Sequence, residues 1–145
     1  MNIDELWKKG KLRLEEGVLY SDGTFFPISG SPKSGYVVEK KENILPLIEN
    51  NPKNWFFYSI SSKLFNSKFD FVAGSGGLEG EGFVAALEKN GSLAWVVHLM
   101  DSEYLEIESC SEHELFVSGS DGYRKNTFII PFEIPELFTH TLTNM

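Results

Sequence analysis

The sequence predicts an α+β fold: an antiparallel β-sheet of about six to eight strands with one or two short helices packed on it. Three observations carry this expectation. Aromatic residues make up 14% of the 145 residues, with twelve Phe, five Tyr and three Trp, and aromatics suit the pleated, half-buried surface of a strand. Short apolar runs recur along the chain between turn dipeptides, among them Asp22-Gly23 and Asn90-Gly91, which favour tight hairpins. Helical spacing is confined to short stretches near the start and around residue 45. No linker divides the chain, so residues 1–145 are expected to form one domain, long enough to bury roughly 68–70% of its unfolded surface.

Taken in order, Asn2 caps a predicted helix over Ile3–Lys9 that Gly10 stops. Leu12, Leu14, Val18, Tyr20, Phe25 and Ile28 flank the turn Ser21-Asp22-Gly23-Thr24 and predict a hairpin. Residues 29–35 read as a loop and Tyr36–Glu39 as a short strand. Ile44, Leu45, Leu47 and Ile48 have helical spacing within Lys41–Asn50, with Pro46 tolerated only in a first turn. Strands are predicted at Trp55–Ile60, Phe69–Ala73, Phe83–Leu87 and Leu93–Leu99, the last two joined by Glu88-Lys89-Asn90-Gly91-Ser92. Tyr104–Ser109 and Leu115–Ser118 form a further pair, and Thr127–Phe132 follows the turn Ser120-Asp121-Gly122. Pro131 and Pro135 favour an edge position for that last strand. Pro135-Glu136-Leu137-Phe138 reads as a short terminal helix or a strap.

Charge is distributed unevenly. Between Glu79 and Glu114 nine acids stand against one base, Lys89, so this segment alone carries the chain's net charge of −8. A field concentrated on one stretch speeds capture of cationic partners and repels phosphate. Nucleic acid, whose affinity comes largely from phosphate contacts, is therefore not the expected partner. No run approaches the ~18 apolar residues of a membrane span, and Met1–Leu6 shows no basic region followed by an apolar run. A cytoplasmic protein without a signal peptide is expected. Cys110 is the only cysteine, so no internal disulfide is available.

The candidate chemical motifs fail on spacing. The run Gly74-Ser75-Gly76-Gly77-Leu78-Glu79-Gly80-Glu81-Gly82 has Glu79 where a dinucleotide fingerprint needs glycine, and no Walker lysine. It reads instead as a flexible or bulged connection into the strand that follows. Cys110 and His113 have a C-x-x-H spacing, but a structural zinc site needs four ligands and no second pair exists. His98, alternating with Val97 and Leu99, reads as a partly buried sheet residue. Asp101 and Glu103 could be cast as a glycosidase pair, yet a chain of this size leaves little room for a cleft. No catalytic residue, metal or cofactor is expected.

The acidic strand is the stronger lead. Successive side chains on a strand point to opposite faces. In Tyr104-Leu105-Glu106-Ile107-Glu108, Leu105 and Ile107 face the core and Tyr104, Glu106 and Glu108 face out. Glu112, Glu114 and Phe116 likewise lie opposite Leu115 and Val117. Pairing of the two segments crowds four carboxylates onto one face, and like charges opposed across strands are unfavourable. Folding gains nothing from that, whereas a Lys/Arg-rich partner would. Asp101, Glu103, Tyr104, Glu106, Glu108, Glu112, Glu114, Phe116 and Tyr123 are the expected partner-binding residues, the acids steering and the aromatics supplying buried contacts.

The stretch from Gly80 to Glu136 resembles small acidic bacterial immunity proteins of polymorphic and contact-dependent toxin systems. The resemblance rests on Gly80-Glu81-Gly82-Phe83-Val84-Ala85, Leu93-Ala94-Trp95, Asp101-Ser102-Glu103, Ile130-Pro131 and Pro135-Glu136. It implies a cytoplasmic inhibitor that covers the active site, or a neighbouring surface, of a cognate basic toxin such as a nuclease. Two other readings remain open: a small-molecule-binding β module with an aromatic cleft built from Trp55, Phe57 and Trp95, and a structural subunit of a larger complex.

Overall fold

The computed structural model describes residues 2–13, 15–46, 55–76, 81–99, 105–120 and 124–144. It opens with helix α1 (Ile3–Lys8), whose first turn is capped by the Asn2 side chain accepting from the Glu5 amide at 2.8 Å. Strands β1 (Lys11–Arg13), β2 (Gly17–Tyr20), β3 (Thr24–Ser31), β4 (Gly35–Val38) and β5 (Glu42–Asn43) follow. Then come β6 (Trp55–Phe65), β7 (Asp70–Gly76), β8 (Glu81–Leu87) and β9 (Leu93–Leu99). The last third holds β10 (Glu106–Cys110), β11 (Glu114–Ser120), β12 (Arg124–Pro131), a 3-10 turn (Pro135–Leu137) and β13 (Thr139–Asn144).

All strand pairs are antiparallel, and they form two sheets. The large sheet has nine strands in the order β1-β6-β7-β8-β9-β2-β3-β4, with β5 also on β3; the small sheet is β10-β11-β12-β13. One face of the large sheet packs against the small one through Val18, Phe71, Val84, Trp95, Leu115, Val117, Phe128 and Phe132. Its other face is covered by α1, where Ile3, Leu6 and Trp7 meet Val72, Phe83, Ala85 and Val96. Strand β8 is therefore buried on both sides, which explains why Phe83-Val84-Ala85-Ala86 reads as an unbroken apolar run. Six residues are too few for a stable isolated helix, so α1 owes its existence to this packing.

The fold is thus mostly antiparallel sheet, closer to all-β than to the expected α+β, and the expected single sheet is two. The second sheet exists because Leu105, Ile107, Leu115, Val117, Phe128 and Ile130 form an apolar face that only another sheet can cover. Strand β12 is not an edge. It lies between β11 and β13, and Pro131 is its last residue, where a missing donor costs the ladder least. Ser29–Ser31, expected in a loop, belong to β3. Within the expected second helix, Glu42–Asn43 pair with Thr24–Phe25, Leu45 and Pro46 are helical, and residues 47–50 lie outside the described residues.

Within the glycine-rich run, Gly74 is explained by close approach. Gly74 to Gly76 extend β7, and a Cβ on Gly74 would stand 1.9 Å from the Ser59 carbonyl oxygen, beside an irregularity in the β6–β7 register. Residues 77–80 lie outside the described residues.

Candidate functional site

The outer face of the small sheet carries most of the described candidate residues. Leu105 and Ile107 plug the core, and Glu106 and Glu108 project from the opposite side of β10 into solvent. On β11, Leu115 and Val117 are fully buried while Glu114 and Phe116 lie half-buried on the outer face. Phe116 stands opposite Ile129, itself opposite Thr139, so an apolar spot sits within a polar face. A bulge between Ile107 and Ser109 shifts the register where Glu108 sits.

The acids there are not equivalent. The Ser118 hydroxyl donates to Glu108 Oε1 at 2.5 Å, and Lys125 Nζ lies 3.7 Å from the same oxygen. These contacts, the Ser118 bond first, hold the Glu108 carboxyl below the usual glutamate range. Glu108 therefore shares its charge with this chain's own lysine. Glu112 does not join the face; it sits in the β10–β11 turn with a side chain 94% exposed, 3.9 Å from the His113 imidazole. Asp101, Glu103, Tyr104 and Tyr123 lie outside the described residues.

A second feature adjoins this face. A cleft of about 660 Å³ separates the β6–β7 turn from the β10–β11 turn, lined by Asn66, Ser67, Lys68, Cys110, Ser111, Glu112 and His113. Lys68, Glu112 and His113 also line a neighbouring hollow of about 190 Å³, whose other wall is Pro131, Phe132, Glu133 and Ile134. Both rims are fixed by side-chain-to-backbone bonds. Asn66 Oδ1 accepts from the amides of Lys68 and Phe69, each at 2.8 Å. Ser111 Oγ accepts from the Glu114 amide at 3.1 Å. The third wall is tied to the body by the Trp95 indole N–H donating to the Phe132 carbonyl at 2.9 Å, and by the Tyr20 hydroxyl donating to Glu136. Lys68 Nζ reaches Glu133 Oε1 at 3.2 Å across the smaller hollow.

Sequence reasoning missed Lys68, Glu133, Ser118 and Lys125, because each meets its partner only through sheet packing. The signal that was present is the pair of turn starters, Asn66 before Ser67-Lys68 and Ser111 before Glu112-His113, types that bond backbone amides two or three residues on. Cys110 and His113 do share the cleft, but among the described residues no three His, Cys, Asp or Glu side chains are arranged to hold a metal ion. The aromatic cleft does not form: Trp55 and Trp95 belong to the cores on opposite faces of the large sheet, and Phe57 is 73% exposed.

Away from this region, two buried titratable groups lie in the large sheet. His98 is 2% exposed, more buried than expected, and Glu81 is 6% exposed. His98 Nδ1 is 3.3 Å from the Glu15 carbonyl. Burial holds the imidazole below the ordinary histidine value, against the opposing pull of that carbonyl and of the Glu81 carboxylate. No helix among the described residues is long and apolar enough to cross a membrane. No protein-family model, curated protein or solved structure matches the chain, so the outer face and its cleft are read from their own chemistry.

Proposed function

We propose that this protein captures a basic protein partner on the outer face of its small sheet. The resemblance to acidic immunity proteins makes that partner a cognate basic toxin such as a nuclease, neutralised by being covered. The observation that carries the reading is the outward placement of Glu106, Glu108 and Glu114 around Phe116, while the alternate residues Leu105, Ile107, Leu115 and Val117 fill the core. The carboxylates raise the encounter rate with a cation and disfavour phosphate-rich surfaces. Phe116 and Ile129 supply a small apolar centre that a partner side chain can desolvate. The chain acts by binding and not by catalysis, with no cofactor.

The test is capture. The tagged protein is incubated with lysate of its native host at low salt and eluted with a salt gradient, beside the variant Glu106→Lys/Glu114→Lys. Those two positions are chosen because Glu108 already engages Lys125. Recovery of one basic protein at near-equal stoichiometry by the native chain, and its loss from a variant of unchanged melting temperature, is the expected outcome. Equal recovery by both removes the acidic face from the mechanism.

A further inference from the structure

We infer that the smaller hollow, walled by Lys68, Glu112, His113 and residues 131–134, receives one arginine side chain of the partner, which rests on the reading of the outer face as a docking surface for a basic protein. The two sites are continuous. Glu114 of the outer face stands opposite Pro131, which lines the smaller hollow, and Glu112 lies on the turn that joins face to cleft. A basic segment lying along the face therefore reaches the hollow at its end.

The chemistry of the walls selects the side chain. Glu112 on one turn and Glu133 on the segment after β12 both line this hollow, and both are well exposed, Glu133 at 75%. Glu133 already holds an ammonium group, Lys68, at 3.2 Å. An incoming lysine would only repeat that contact, whereas a planar guanidinium carries five donors and grips carboxylates bidentately. Lys68 is itself 55% exposed and can swing into solvent as the guanidinium arrives. Pro131 and the exposed Ile134 offer apolar surface to the arginine stem. Asn66 and Ser111 keep both turns in place before binding, so little ordering cost falls on the protein.

The probe is a capped Gly-Arg-Gly tripeptide, with Gly-Lys-Gly as its control, titrated into the labelled full chain at low salt and followed by amide chemical shifts. Saturable shifts confined to residues 66–68, 110–113 and 131–134 are expected, with the arginine peptide at least threefold tighter. Glu112→Gln/Glu133→Gln weakens binding at least fivefold, and Lys68→Gln strengthens it about twofold. Glu42→Gln, on β5 of the large sheet, leaves it within a factor of two. Shifts spread over all acidic surfaces, equal affinity for the two peptides, or indifference to the Glu112/Glu133 pair each overturn the inference. Those outcomes leave the outer face untouched, because its own test is partner capture by the Glu106→Lys/Glu114→Lys variant.

Discussion

At the scale of single residues, environment decides which charges are available. Glu106 and Glu108 are two positions apart on one strand face, yet Ser118 and Lys125 engage Glu108. Lys125→Ala should therefore release a carboxylate toward the partner and raise the association rate about twofold, read by stopped-flow mixing with the captured protein. His98 offers a different measurement. Its folded-state value lies below the ordinary 6.5, so the unfolded chain binds the extra proton first as pH falls. Stability is fully present above pH 6.5 and declines as pH drops toward the folded value, with a slope approaching about 1.4 kcal/mol per pH unit for one proton. His140, also lowered by burial, adds in the same direction. Urea midpoints should fall between pH 7.5 and 5.5, and His98→Gln should flatten part of that fall. The Glu108 contribution is lost only below the ordinary carboxylate value of 4.5, outside this window. A midpoint independent of pH over the window would show that folding leaves the proton affinity of these imidazoles unchanged.

At the scale of elements, the local signals were strong where turn chemistry and apolar period coincide. Leu93–Leu99 is a strand over the predicted bounds, and Asp22-Gly23 and Asn90-Gly91 turn the chain where predicted, with Gly23 at φ 94° and Gly91 at φ 88°. Alternation on the acidic segment correctly separated Leu105, Ile107, Leu115 and Val117 from Glu106, Glu108, Glu114 and Phe116. The failures have physical causes. Thr139–Asn144 holds one large apolar residue, Leu142, so nothing in its pattern announced β13, which forms because β12 offers it an open ladder. Glu112 was placed on a strand face because alternation carries no information about where a turn begins. The cleft was invisible because its walls come from segments separated by more than forty residues. Two substitutions test the local account. Gly74→Ala forces a methyl onto the Ser59 carbonyl and should cost about 3 kcal/mol by urea unfolding. Asn2→Ala removes the α1 cap and should cost about 1 kcal/mol. A neutral Gly74→Ala would mean that β6 and β7 are further apart than described.

At the scale of the whole molecule, the acidic segment is less of a patch than its charge count implies. Glu81 is buried within the large sheet, and Glu88 sits on the β8–β9 hairpin. The β10–β11 unit keeps Glu106, Glu108, Glu112 and Glu114, which mark one face of the small sheet and the cleft beside it. The inward side chains of the small sheet share one core with the large sheet, so substitutions of its outward side chains and folding are separable. Electrostatic capture also predicts a signature that packing alone does not give. The measurement is the association rate of the captured partner with the native chain and with Glu106→Lys/Glu114→Lys, across a series of salt concentrations. The account predicts a native rate that falls steeply with salt, and a variant at least tenfold slower at low salt that converges with it at high salt. Equal rates at every salt concentration would contradict it.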